Sequence, residues 1–229
     1  MHVESYEHME AAFTQHLAPM GPGRVLEIGS KSRKAEYRRL FESHGWTFSG
    51  ADLGEGPNVT DVLEDPFRFP FENDAFDAII SGQMLEHNAM FWLTFMEMSR
   101  VLRMGGIMVH IAPSRGPEHR APQDCWRFYR DGMHALAEWC GMEILQASTD
   151  WSRADLDRKS QHRPRTARRM ERDARFLDSD WGDTIGVFRK TVETKQSKGA
   201  DYIRQFAALY EEKPAPRKRT TKAKAKTSA

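Results

Sequence analysis

A chain of 229 residues with 39% apolar content and a formal charge of +1 has the material for one packed domain with appendages. The charge is uneven: the last seventeen residues hold seven lysines and arginines and no acid, which leaves 27 basic against 33 acidic residues, a balance of −6, for the body. Such a body excludes a broad nucleic-acid-binding surface, two cysteines exclude a disulfide framework, and no apolar run approaches the ~18 residues of a membrane span.

Cys125 and Cys140 fit neither a zinc-ligand nor a redox spacing and read as reduced thiols. The N-terminal MHVESYEHMEAAF is too polar for a signal peptide, so a soluble, cytoplasmic protein is expected.

Tyr6, Met9, Phe13 and Leu17 recur at helical spacing and predict a helix over residues 4–18, closed by Pro19, Gly21, Pro22 and Gly23. Strand one is Val25–Ile28, followed by a polar turn and a helix over Lys34–His44. Strand two is Thr47–Ala51, ending at Asp52. A GEGPN turn then leads to a short strand three at Val59–Val62. Phe76–Ser81, apolar almost throughout, reads as a strand buried on both faces. A helix over Ala89–Leu102, which Glu86 and His87 open, is apolar nearly all round. Gly105 and Gly106 turn the chain into strand five, Ile107–Ala112. A loop over 114–130, a helix over Asp131–Cys140 and strand six at Met142–Ser148 follow. The charged stretch 150–183, with a helix over Pro164–Leu177, interrupts the pattern before strand seven, Thr184–Val192. A last helix, Ala200–Glu212, precedes a Lys/Ala/Thr-rich tail expected to be disordered. Strands alternating with helices at this spacing give a doubly wound parallel sheet.

The turn after strand one, EIGSKSR, sits where such sheets hold a cofactor, beside a helix N-terminus. A dinucleotide loop needs three glycines to admit a pyrophosphate, and here only Gly29 is present, so nicotinamide and flavin dinucleotides are disfavoured. Asp52, 23 residues beyond Gly29 at the end of strand two, is placed to accept two ribose hydroxyls, with Leu53 flanking a base. Ser81 and Gln83 stand at the carboxyl end of strand four. The loop PSRGPEHRAPQDCWRFYRDG leaves the carboxyl end of strand five with His119, Arg120, Asp124, Trp126, Arg127, Phe128 and Tyr129, a charged and aromatic density unusual for a plain connection.

The acid-x-glycine of Glu27 and Gly29, Asp52, the DPFRFPFENDAFDAIISGQMLEH segment and RVLRMGG before strand five follow one another over residues 24–114. In that order they resemble the class I S-adenosylmethionine-dependent methyltransferases. The loop's HRAPQDCWRF and the later WGDTIGVFRK resemble a bacterial, type 11-like branch, which extends the likeness to about residue 192. Lys31 and Arg33 depart from the family, which has more glycine there.

The resemblance implies an α/β fold: a Rossmann-like, seven-stranded, mostly parallel sheet with helices on both faces and a charged helical insertion between strands six and seven. With the reading along the chain it gives an N-terminal helix over 1–23, a methyltransferase domain over 24–193 with its insertion at about 150–183, a C-terminal helix over 194–212 and a disordered basic tail over 213–229. S-adenosylmethionine would be held by Glu27, Gly29, Ser30, Asp52, Leu53, Asp65, Ser81 and Gln83, with Asp61 a rival to Asp65 for the adenine amino group.

The expected reaction moves a methyl group to an oxygen or nitrogen of a small molecule by direct displacement. His119 and Asp124 are the leading candidates for a base, His87 and His110 stand behind them, and His110 reads as packed within its strand. His87, Arg120, Trp126, Arg127 and Tyr129 would bind the acceptor; no metal is called for. Two further readings stand beside these: a catalytically silent cofactor-binding module with a protein partner, and weak, salt-sensitive contact of the tail with nucleic acid or an acidic surface.

Overall fold

The structure, a computed structural model, describes residues 3–173 and 179–211. Helix α1 (Val3–Ala12) runs through two irregular turns, Phe13–Leu17 and Ala18–Met20, into β1 (Arg24–Ile28). Then come α2 (Glu36–Ser43), β2 (Thr47–Asp52), β3 (Asp61–Val62), β4 (Phe76–Gly82), α3 (Phe91–Val101) and β5 (Leu102–Arg115). The chain continues through α4 (Arg130–Cys140), β6 (Glu143–Thr149), α5 (Arg153–His162), α6 (Pro164–Asp173), β7 (Gly182–Arg189) and α7 (Lys198–Glu211). The sheet order is β3-β2-β1-β4-β5-β7-β6. Every neighbouring pair is parallel except the two that β7 makes, so one reversed strand sits between β5 and β6.

The near-continuous apolar strands are explained by two cores, one on each face. Side chains alternate across a strand, so Leu26, Ile28, Ile79 and Met108 face Phe95, Met98, Met133 and Leu136 of α3 and α4. Val25, Ala78, Ile80 and Val109 face Met9, Phe13, Tyr37 and Phe41 of α1 and α2. The all-round apolar character of α3 follows from its cover: Trp139 of α4 donates to the Trp92 carbonyl, and Trp126 packs edge-on to Phe91 at 5.5 Å.

Several elements differ from expectation. The turn after β1 is longer, because α2 begins at Glu36 behind Ala35, a left-handed residue at φ 49°. Strand three shrinks to two residues. Glu86 and His87 do not open α3; they lie in a separate single turn, Leu85–His87. Strand five starts straight after α3, in a stretch irregular enough that pairing with β4 shifts between Phe76 and Ala78. Between β6 and β7 stand two helices rather than one. The first, α5, is closed by a capping box in which Ser152 and Asp155 satisfy each other's backbone N–H. The end of the expected 164–177 helix and the whole 213–229 tail lie outside the described residues. Among the described residues no helix is long and apolar enough to cross a membrane.

Candidate active site

The carboxyl ends of β1, β2 and β4 open onto a cleft of about 430 Å³. Its floor is Ile28, Gly29 and Lys31, one wall is Asp52, Leu53 and Leu63, and the far wall is Gln83, Met84 and His87. Pro66, Phe67 and Phe69 make an apolar side, and Ala121, Pro122 and Gln123 close the top. Gly29 has φ 79°, and a Cβ there would lie 2.6 Å from Met84 Cγ, so the residue must be glycine for both backbone and space. Asp52 already accepts from the Lys31 backbone N–H at 3.1 Å, which ties the turn to the end of β2.

The Lys31 departure has a compensation across the cleft. A Cβ on Gly56 would meet the Lys31 stem at 2.6 Å, and one on Gly54 would lie 3.9 Å from its Nζ. The glycines expected in the first turn stand in the facing loop, where they admit a long side chain.

Four expected cofactor residues do not line the cleft. Glu27 is buried and accepts from Asn58 Nδ2 at 3.1 Å, while Asn58 also donates to the Ser30 carbonyl at 2.9 Å. Burial pushes the Glu27 carboxyl up to about 8, against the lowering pull of Asn58 and Arg38. Ser30 points beneath the turn, where its Oγ would meet a Cβ on Gly50. Ser81 is buried 2.7 Å from His110 Nδ1, and burial lowers that imidazole to about 3, so His110 is a neutral core residue. Asp65 is exposed and accepts from the Phe67 N–H at 2.7 Å, closing its own turn; its rival Asp61 accepts from Thr60 at 2.6 Å and is also off the cleft.

The apolar side is held from behind by α3. Thr94 donates to the Pro66 carbonyl, Glu97 accepts from the Phe69 N–H, and Arg100 reaches the Phe69 and Phe71 carbonyls and Asn73. This polar stripe at i, i+3 and i+6 on an otherwise apolar helix was visible in the sequence and was not used.

At the other end of the cleft the loop after β5 is fastened to the turn after β4. Gln123 Nε2 donates to the His87 carbonyl at 2.7 Å, His87 Nδ1 meets the Gln123 carbonyl at 2.5 Å, and the Cys125 N–H donates to the Glu86 carbonyl at 2.7 Å. Trp126 donates to the Asn88 carbonyl at 3.0 Å. These bonds bring His87 and His119 together, their rings edge-on at 4.9 Å.

Asp124, nearly buried, takes both Arg127 nitrogens at 2.5 and 2.8 Å, accepts the His119 backbone N–H, and lies 3.3 Å from His119 Nδ1. The Arg127 bonds hold its carboxyl far below the usual carboxylate range. It is therefore an anchor for His119 rather than a free base. Arg120 is exposed, and Tyr129 stacks on Trp151 at 6.1 Å outside the cleft lining.

Glu86 was not among the expected site residues. Its side chain is fully buried, and among the described residues neither oxygen has a hydrogen-bond partner. Burial pushes the carboxyl up to about 8; Asp183 and Asp124 add to this, while its own backbone N–H and Arg127 oppose it. An acid directly beyond the end of β4 in MLEH was the available signal.

Asp183 itself joins a buried network that docks α1 over the site: Ser5 donates to it at 2.7 Å, Gln83 at 2.9 Å, and His8 pairs with Asp150 at 2.7 Å.

Residues 20–110 match the Methyltransf_11 methyltransferase domain. No curated protein matches the chain. Among solved structures, Burkholderia thailandensis 1,6-didemethyltoxoflavin-N1-methyltransferase, with its substrate and S-adenosylhomocysteine bound, is similar at a TM-score of 0.59 and 15% identity, over 82% of this chain and 79% of that one. The cyclase SpnF is similar at 0.56 and 16% identity, over 81% and 82%. Phosphoethanolamine N-methyltransferase 2 of Haemonchus contortus, in complex with phosphomonomethylethanolamine and S-adenosylhomocysteine, is similar at 0.53 and 15% identity, over 81% of this chain and 53% of that one. At these identities the structures speak to the fold alone. The sheet order is that of the Rossmann-like fold these structures share, and residues 20–110 within it match a methyltransferase domain.

Proposed function

We propose that the chain transfers the methyl group of S-adenosylmethionine to an oxygen or nitrogen of a small-molecule acceptor. The observation that carries this reading is one cleft with two chemically different ends. Adenine fits the apolar end among Leu53, Leu63, Phe67 and Phe69, with the ribose hydroxyls on Asp52. The methionine part then runs over Gly29, where the lack of a side chain leaves room, toward Gln83, Met84 and His87. The sulfonium is thereby directed at the imidazole end beneath the 113–129 loop. Of the expected acceptor-binding residues, His87 lies on the cleft, Trp126 and Arg127 brace its roof, and Arg120 and Tyr129 stand further out as an entrance.

The chemistry is one displacement. A lone pair of the acceptor forms the new bond to the methyl carbon, and the carbon–sulfur bond breaks with its electrons going to sulfur, leaving neutral S-adenosylhomocysteine. An acceptor hydroxyl or ammonium first loses a proton, and the Glu86–His87–His119 group is placed to draw it off, Asp124 acting through His119. Holding the two reactants in line and dry supplies the rest of the rate.

Calorimetric titration with S-adenosylmethionine tests the cofactor half. Removing two hydrogen bonds to a charged group costs roughly 3 kcal/mol, so Asp52→Ala should weaken binding about 100-fold. Unmeasurable binding by the wild type, or unchanged binding by the variant, refutes it. SpnF, a cyclase on this fold, makes a product assay necessary as well. Binding of the cofactor with no methyl transfer across a panel of hydroxylated and amino metabolites would favour a silent, partner-binding module.

A further inference from the structure

The side chains of Glu86, His87 and His119 offer ligand atoms that all lie within 4.8 Å of one another. Glu86 Oε1 is 3.5 Å from His87 Nε2 and 3.8 Å from His119 Nε2. Zinc bonds of about 2.0–2.2 Å at tetrahedral angles put neighbouring ligand atoms about 3.4 Å apart, so small rotations close this triangle onto one ion.

The other ring nitrogens decide what faces inward. His87 Nδ1 meets a carbonyl, which can only accept, so the proton is on Nδ1, and in the neutral ring Nε2 carries the lone pair. His119 Nδ1 has the Asp124 carboxylate as its neighbour at 3.3 Å, which favours the same tautomer. Two imidazole lone pairs thus converge on a carboxylate that no donor satisfies. A buried carboxylate in that position is costly without a positive centre.

We propose that Glu86, His87 and His119 bind a divalent transition-metal ion of the zinc type. Two imidazoles and one carboxylate suit such ions, and three protein ligands leave a position for an exchangeable group. The Gln123 carbonyl orients His87 from behind, as outer partners of metal-bound histidines do, and Asp124 holds the His119 backbone N–H with its carboxylate 3.3 Å from Nδ1. Because His87 also lines the cleft, the open position adjoins the end assigned to the acceptor, whose oxygen or nitrogen would occupy it and be made more acidic there, the three side chains then serving as ligands in place of the base role given above. That last role rests on the proposed function; the site itself does not.

The test uses the full chain, stripped with a chelator, then titrated with Zn²⁺ by calorimetry and with Co²⁺ by visible absorption. The expected result is saturation near one equivalent and the d–d bands of a four-coordinate cobalt ion. Glu86→Gln and His119→Ala should lose the bands and bind at least ~100-fold more weakly; Asp124→Asn, which touches only an outer partner, should lose about 10–100-fold. His16→Ala, remote from the cluster, should match the wild type.

Absence of saturable binding by the wild type, or equal affinity in Glu86→Gln and His119→Ala, overturns the proposal. Should one variant fail a circular-dichroism check of folding, the wild-type stoichiometry and the other variant decide. S-adenosylmethionine titrated into the same metal-free samples separates the two readings. Cofactor binding without metal binding removes the metal site alone. Metal binding without cofactor binding removes the proposed function and leaves the site.

Discussion

Glu27 and Glu86 both sit at the carboxyl edge of the sheet, both are buried, and burial pushes both carboxyls up to about 8. Glu27, on the cofactor side, accepts from Asn58 and through it pins the loop after β2 to the glycine turn. Glu86, on the acceptor side, has no donor and faces two imidazole nitrogens. Burial and a raised carboxyl are thus shared by a structural residue and a candidate ligand. What separates them is whether the surrounding groups complete the carboxyl or leave it open. Glu27 has its donor, and Glu86 has none among the described residues.

If that division is right, the two sides should fail separately. The largest stability effect should come from Arg127→Ala. It strands the nearly buried Asp124 carboxylate, and breaking such a pair costs roughly 3 kcal/mol. Urea unfolding should show that loss while S-adenosylmethionine affinity of the folded variant stays within about threefold, on the scale where 1.4 kcal/mol is tenfold. A large loss of cofactor affinity would mean the acceptor side also shapes the cofactor side.

Gly29→Ala is the reciprocal break. Its Cβ would press on Met84 and its backbone is left-handed, a strain of roughly 1–3 kcal/mol. Cofactor affinity should fall by more than about tenfold, since each 1.4 kcal/mol of relaxation taken by the cleft is tenfold. Calorimetry at a temperature where the variant is folded measures this, and wild-type affinity would show that the methionine part does not cross Gly29.

A pH series sharpens the contrast at Glu27. Burial holds its folded carboxyl at about 8 against an ordinary value of 4.5 in the unfolded chain, so between these the native state holds a proton that the unfolded chain has released. Stability from this group is therefore present at low pH and falls as pH rises from about 4.5 through 8. Glu27→Gln keeps an acceptor for Asn58 and removes the titration. Its unfolding free energy relative to wild type should rise between pH 5 and pH 8, by an amount of order 1 kcal/mol or more. A flat difference would place Glu27 in contact with water.

The same division governs what the sequence could reveal. Gly29, Asp52, Leu53 and Gln83 all line the cleft, and their places at strand ends and turns were legible from the sequence. Two other residues stand off the cleft. Ser81 and Gln83 flank the end of β4 and would share a face in a continuing strand, but the backbone turns at Gln83, φ 58°, so Gln83 lines the cleft while Ser81 stays against His110. Asp65 looked like a ligand, yet its carboxylate is committed to its own turn.

The acceptor side joins residues 5–8, 86–88, 119–127 and 183, which no periodicity relates. His87, His119 and Asp124 stand out in the sequence by their place after strands four and five, whereas Glu86 reads as the start of a helix that begins only at Phe91.

The smallest expected effect tests the one irregularity on the cofactor side, the lysine where the family has glycine. Gly56 has no positive φ, so alanine suits its backbone, but the new Cβ would meet Lys31 at its Cε, Cγ and Cδ. The side chain must then swing, and the cleft it lines is where it can go. Gly56→Ala should therefore weaken S-adenosylmethionine binding by about 3–10-fold, the worth of roughly 1 kcal/mol. Lys31→Gly alone should change affinity by less than about threefold, and in that background Gly56→Ala should have no effect on binding. A coupling energy near 1 kcal/mol in this double-mutant cycle would establish that the loop glycines exist to house Lys31. Additive changes would mean that the two loops move independently, and that the glycines after β2 serve the backbone rather than the lysine.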